Sequence, residues 1–191
     1  MKPHNPLYYR WKGKLLHSGI HILSHMRLLI RWTFFSVLTG SIMGLIGVAF
    51  VYCIQSVTTL RTNFVWMPLT LPLGGLLIVW LYRISHDQND KGTNMVLASL
   101  RSEAELPVQM APMIFISTII THLCGGSAGR EGAALQLGGS VGNLLGRLFR
   151  LSERDIRVMI LCGMSAAFSA IFRTPIAAAV FAMEVGCVGA M

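Results

Sequence analysis

Residues 124–146 read CGGSAGREGAALQLGGSVGNLLG. Apolar segments flank them on both sides, and Arg130–Glu131 stands at their centre, hemmed in by glycine. Taken as a loop that opens a helix at about Glu131, the stretch joins two properties. Glycine lets the backbone turn and lets a ligand come close to it. The first N–H groups of a helix have no internal partners and carry a partial positive charge of about half a unit. Together these make an anion site that needs no metal. An ionised carboxylate at membrane depth costs about 3 kcal/mol on some scales. The amides that would hold a free anion can hold Glu131 instead, and protonation would release it. Glu131 is thus a candidate gate and proton acceptor in one group. Farther on, Gly138, Gly142 and Gly146 recur at four-residue spacing, which predicts a flat helix side for another helix to pack on.

A nucleotide loop is a poor rival. The spacing is neither G-x-G-x-x-G nor G-x-x-x-x-G-K-[ST], and no predicted strand precedes it. A plainer rival stays open on pattern alone: Arg130 and Glu131 as a structural pair at a helix start, with glycines only for packing.

The surrounding chain supplies the membrane. Of 191 residues, 53% are hydrophobic and 13% charged, against about 25% charged in a soluble domain. The balance predicts a polytopic all-α membrane protein. Net charge is +8, and Lys2, Arg10, Lys12, Lys14, Arg27 and Arg31 all precede the first long apolar run, with no acid before Asp87. The positive-inside rule accounts for this arm better than nucleic acid does and keeps the N-terminus in the cytoplasm. Residues 1–33 are read as a basic cytoplasmic or interfacial arm and residues 34–191 as the membrane domain. No small-residue cleavage site marks a secretory signal. Cys53, Cys124, Cys162 and Cys187 are scattered, without Cys-x-x-Cys spacing, and read as small buried hydrophobes. No metal site or cofactor is expected. His17, His21 and His25 share four-residue spacing, but in a basic membrane-flanking arm they read as a surface stripe.

The first predicted span is Phe34–Val57, where Gly40 and Gly44, with Gly47 nearby, would admit another helix. The second is Met67–Ile84, with prolines near its start, where a helix tolerates them. Ser85–Pro107 is polar and is expected mostly in water, with a short helix opening near Gly92–Asn94. Val108–Cys124 predicts a short apolar helix with Pro112 in its first turn. Ser152 is a plausible N-cap, followed by acids in the first turn. The last apolar pieces, split by Arg173–Thr174–Pro175, look too short for comfortable full spans. Broken apolar segments in series suit a secondary transporter, whose half-helix ends point at an ion near the midplane.

Here the residues carry a resemblance. GGSAGREGAALQLGG resembles the G-[KR]-E-G-P segment of the CLC chloride channel and transporter family. Lys91–Met95, KGTNM, falls where that family has its G-S-G-I-P loop, and RTPIAAAVFAMEV where it has a proline-led helix ending in Glu. The resemblance implies the first half of a CLC-type inverted-repeat fold with broken and short helices. It implies that Glu131 is the external gating glutamate. Gly129, Arg130, Gly132 and Ala133 would stand at the helix start facing the anion. It places Thr93 at the family's central anion-coordinating serine; a one-residue shift would place Asn94 there.

Some residues depart from the family pattern. Ala133 replaces the usual proline, and no proline follows Gly-Thr-Asn-Met. Val185 stands where the family's exchangers carry an internal proton-accepting glutamate, just after Glu184. These changes resemble the bacterial fluoride/proton antiporter branch, with Asn or Met at the serine position and a G-R-E-G-[TA] style motif. The second half's G-x-F-x-P loop and ion-coordinating tyrosine have no counterpart, so the expectation is a fragment, a truncated reading frame or one half of a split protein that does not conduct alone. The resemblance further implies chloride or fluoride as the ion, protons, a lipid bilayer, a homodimer in the complete protein, and the cell inner membrane. Two other functions fit part of the pattern. One is a truncated, non-conducting interaction protein packing through Gly-x-x-x-Gly faces. The other is an embedded enzyme using Glu131 with His122 or His86, for which no nucleophile or metal constellation is present.

Overall fold

Among the described residues there are seven α-helices and one short 3-10 turn: α1 (Pro6–Asn63), the 3-10 turn Met67–Thr70, α2 (Leu71–Ile84), α3 (Thr93–Leu100), α4 (Met110–Leu123), α5 (Arg130–Leu148), α6 (Glu153–Phe172) and α7 (Pro175–Gly189). The structure is a computed structural model. It describes the backbone of residues 6–64, 66–85, 92–100 and 106–189, and side chains from residue 25 to 186 within those ranges. Among the described residues there is no strand. Lys2, His4, His86 and Lys91 lie outside them, as do the side chains of Arg10, Lys12, Lys14, His17, His21 and Cys187.

The chain divides into two units, Met1–Leu38 and Thr39–Met191. In the first, α1 runs without a helix boundary at residues 33 and 34. Trp32 meets Phe35 edge-on at 6.2 Å, and the Arg31 guanidinium lies 5.8 Å from the Phe35 ring centroid.

The second unit holds the core. Among the described residues three stretches are long and apolar enough to cross a membrane: His25–Asn63, which begins in the first unit, Met67–Ile84 and Glu153–Phe172. The third corrects a reading from sequence. The apolar piece behind residues 153–157 reads as too short for a comfortable full span; in the structure residues 153–157, capped by Ser152 as expected, are the first turns of a 20-residue helix. The Ser152 hydroxyl accepts from the Asp155 N–H at 3.3 Å, as a cap should. At the other end Arg173 adopts a left-handed conformation, φ 59°, and Pro175 starts α7.

α5 is the axis of this unit. Its residues from Ala133 to Asn143 are all buried. Its glycines make that possible. A β-carbon on Gly138 would strike the carbonyl oxygen of Gly163, and one on Gly142 the carbonyl oxygen of Met159. Gly163 answers in kind, since a β-carbon there would strike the Gly138 carbonyl. The backbones of α5 and α6 therefore touch, as the four-residue glycine spacing predicted. Among the described glycines of α1 Gly47 is used this way, against Ala170, whereas Gly40 and Gly44 face open space.

Ser85–Pro107, expected mostly in water, has a described part that is largely half-buried and gives Val96, Ser99 and Leu106 to the core. Val96 is completely buried and packs over Gly139 of α5, and Leu106 is buried too. Three polar side chains of α5 explain this. Asn143 Nδ2 donates to the Leu106 carbonyl at 2.7 Å, and Ser140 Oγ to the Pro107 carbonyl at 2.9 Å. Peptide oxygens that would otherwise need water are satisfied inside the protein. Arg147 Nε in turn donates to Asn143 Oδ1 at 3.3 Å.

Candidate anion site at two helix starts

The approach to α5 is a turn that only glycine makes easily. Gly125 has φ +87°, and the Gly126 N–H donates to the Thr121 carbonyl at 2.8 Å. The chain then runs extended through Gly129, φ −67° and ψ 126°, and enters α5 at Arg130. Gly129 is the N-cap and has no side chain to accept from the first-turn amides. α6 differs, because Ser152 caps it. α2 and α4 also lack a side-chain cap, but each is entered from a helical turn. An extended entry without a cap leaves the α5 amides pointing at whatever lies before the helix.

What lies beside this start is the start of α3. Gly92 takes φ +60°, and Thr93 is the first helical residue. Thr93 Oγ1 lies 3.2 Å from the point where a β-carbon on Gly132 would sit, so the hydroxyl nests against a bare α-carbon. It is the nearest side-chain atom to that point; nothing of Asn94 comes within 4 Å. Thr93 is half-buried, whereas Asn94 is exposed. Of the two alternatives for the hydroxyl position, the geometry brings Thr93 to α5. Two helix N-termini thus converge, each with a partial positive charge.

The other site residues grade from surface to core along α5. Gly129, Arg130 and Glu131 are exposed, Gly132 is half-buried and Ala133 is buried. The Glu131 side chain makes no hydrogen bond or ion pair among the described residues, and neither does Arg130. The two therefore form no ion pair with each other in this conformation. Nor does Glu131 occupy the first-turn amides in this conformation. Glu184 is exposed on α7 and Val185 half-buried. His122, the other acid–base candidate, is used locally: its Nδ1 lies 2.9 Å from the Thr118 carbonyl. Among the described residues no group of His, Cys, Asp or Glu could hold a metal ion.

Sequence reasoning missed one member of this neighbourhood. Gln136 lies one turn below Gly132 on the same face of α5, 6% exposed. Its Nε2 is 3.6 Å from where a β-carbon on Gly92 would sit. Gln136, Ser140, Asn143 and Arg147 form a polar stripe at helical spacing. That spacing was a readable signal, hidden by the glycines around it.

Comparison with known proteins gives the family and the fold. A family model described as "Voltage gated chloride channel" matches residues 74–189. The "Chloride/fluoride channel protein" of Pseudomonas syringae pv. tomato is 33% identical over 162 residues, covering 84% of this chain and 36% of that protein. The "H(+)/Cl(-) exchange transporter ClcA" of Citrobacter koseri is 31% identical over 163 residues, covering 76% of this chain and 34% of that protein. Among solved structures, a CLC-type fluoride/proton antiporter superposes with a TM-score of 0.74 at 35% identity, over 79% of this chain and 38% of that one. A slow cyanobacterial Cl−/H+ antiporter superposes with a TM-score of 0.64 over 81% of this chain and 44% of that one; at 21% identity it speaks for the fold alone. The chain spans about a third of the length of the curated relatives it matches.

Proposed function

We propose a function from one premise: the chain belongs to the voltage-gated chloride channel family, and its fold is that of CLC antiporters over most of its length. It is a multi-pass membrane protein, and the reading is anion transport. This chain supplies one part of the anion path, at the meeting of the α3 and α5 starts. The anion, chloride or fluoride, accepts from the first-turn amides of α5, around Arg130, Gly132 and Ala133, and from the Thr93 hydroxyl. Glu131 competes for the same donors when ionised and yields when protonated, which couples anion occupancy to protons. Gly129 keeps the entrance open because it brings no side chain. The basic arm lies on the cytoplasmic side of the cell membrane, and a homodimer is the expected assembly of the working transporter.

The observation that carries this reading is the contact of Thr93 Oγ1 with the bare face of Gly132. Residues 39 positions apart in sequence bring the starts of α3 and α5 to one point. A pure interaction protein is not favoured. The glycines at 138, 142 and 163 are consumed inside the molecule by the α5–α6 seam. The test is an NMR titration of the chain in lipid nanodiscs with sodium fluoride and sodium chloride. Backbone amides of residues 129–133 should shift on halide addition, and more at low pH than at high pH. Shifts that spare these amides would refute the site.

A further inference from the structure

The polar stripe of α5 contains one atom that the fold does not satisfy. Asn143 and Ser140 hold the carbonyls of Leu106 and Pro107, and Arg147 holds Asn143. Gln136, at the top of the same stripe, is 6% exposed, and its Oε1 is buried without a hydrogen-bond partner among the described residues. A buried acceptor left unmade ordinarily costs more than an apolar side chain of the same shape. Leucine or methionine would fill the position without that cost.

Its surroundings suggest why an amide stands there. The amide nitrogen lies against Gly92, the residue before Thr93, and the side chain rises from the turn just below Gly132. The orphan oxygen therefore belongs to the junction of the two helix starts. It does not belong to the Leu106–Val108 segment that the rest of the stripe holds. The groups that would hold an anion at that junction are donors: first-turn amides and the Thr93 hydroxyl. A carbonyl oxygen beside a donor cluster would repel a bare anion. It would attract a molecule that can donate in two directions at once.

We propose that Gln136 is a specificity-determining residue of the anion site, and that its side-chain carbonyl holds a water molecule whose second hydrogen points at the anion. The water donates one O–H to Oε1 and the other to the ion. Such a bridge is nearly as good enthalpically as a direct hydrogen bond. The anion then enters with part of its hydration kept. The smaller, more strongly hydrated fluoride gains more from this than chloride does. The inference rests on the anion-site reading above and names what tunes its selectivity.

The test compares wild-type chain with Gln136→Met and Gln136→Asn in nanodiscs, titrated separately with sodium fluoride and sodium chloride and followed by halide NMR line broadening. Methionine keeps the length and removes the acceptor; asparagine keeps the amide and withdraws it by one methylene, which covers the case of a poorly folding methionine variant. The expected result is a fluoride-to-chloride affinity ratio lowered by about tenfold, the size of one 1.4 kcal/mol contact, with thermal unfolding unchanged or raised. An unchanged ratio, whether or not both affinities fall together, overturns the proposal and leaves the site reading standing. If wild-type chain broadens neither halide, the site reading fails and takes this one with it.

Discussion

Replacing Gly138 by alanine tests the packing that sets where α5 sits. The new β-carbon would overlap the Gly163 carbonyl oxygen, and would lie 2.7 Å from the Gly163 carbonyl carbon and 2.8 Å from Ala167 Cβ. Ordinary carbon contacts sit at about 3.5–4.0 Å, so the seam must open by about 1 Å. The obstacle is backbone, which no rotamer change can move aside. Overpacking of this kind costs about 1–3 kcal/mol, and the absence of relief argues for the upper end. Against it stands the helix preference of alanine over glycine, about 1 kcal/mol. The expected net loss is about 2 kcal/mol, roughly a thirtyfold fall in the folded-to-unfolded ratio. Gly142→Ala should behave alike, because its β-carbon would meet the Met159 carbonyl and lie 2.9 Å from Ile160 Cα. Gly40→Ala and Gly44→Ala are the controls. Nothing lies within 4 Å of a β-carbon at either position, so only the helix preference acts and stability should hold or rise. Thermal and SDS unfolding of the purified chain in one detergent reads all four. If Gly138→Ala and Gly142→Ala unfold no earlier than wild type, or if the controls fall as far, the backbone seam is not what fixes α5.

Other substitutions separate the site from its scaffold. Glu131→Gln should bind halide with the same affinity from acid to alkaline pH, whereas wild type should weaken as pH rises and the carboxylate reclaims the amides; a wild-type affinity that ignores pH would count against the competing role. Thr93→Val should weaken halide binding by about 3- to 10-fold, the worth of one hydrogen bond of roughly 0.5–1.5 kcal/mol, and Asn94→Ala should leave it unchanged; the reverse order in the same titration would move the site by one residue. Asn143→Leu removes the donor to the buried Leu106 carbonyl, and thermal unfolding should report a loss of about 1–3 kcal/mol. Ser152→Ala removes the α6 cap and should cost about 1 kcal/mol in the same assay, without altering halide affinity.

The sequence was legible wherever one local rule governed. Gly138, Gly142 and Gly146 announced a close helix contact because no other residue type permits backbones to touch. Ser152 announced α6 because a hydroxyl three residues before an acid is a cap. The short helix near Gly92 was legible from a glycine at its start. Reading failed where tertiary partners reversed a local appearance. Leu106 sits in a segment rich in polar residues, and its burial is decided by Asn143, 37 residues later. Gly40 and Gly44 match the packing motif as well as Gly138 and Gly142 do, yet only the latter pair meets a helix. A motif states that close approach is allowed; it does not say from which side a partner arrives.

The candidate site shows the same division at finer scale. Glu131 drew attention because a charge among glycines is conspicuous, and charge can be read one residue at a time. Thr93 and Gly132 came together through a resemblance, and the coordinates then gave the contact a distance. Gln136 was silent, because a single neutral amide in a greasy helix is unremarkable until its surroundings are known. Its significance lies in a difference: three stripe residues below it have partners and it does not. Below Gln136 the stripe serves structure, fixing the Leu106–Val108 segment against α5. At Gln136 the same pattern reaches the two helix starts, where holding a neighbour in place would require a bond that is not made. A helix face that is fully satisfied at one end and open at the other divides scaffold from site, and that division falls between Gln136 and Ser140.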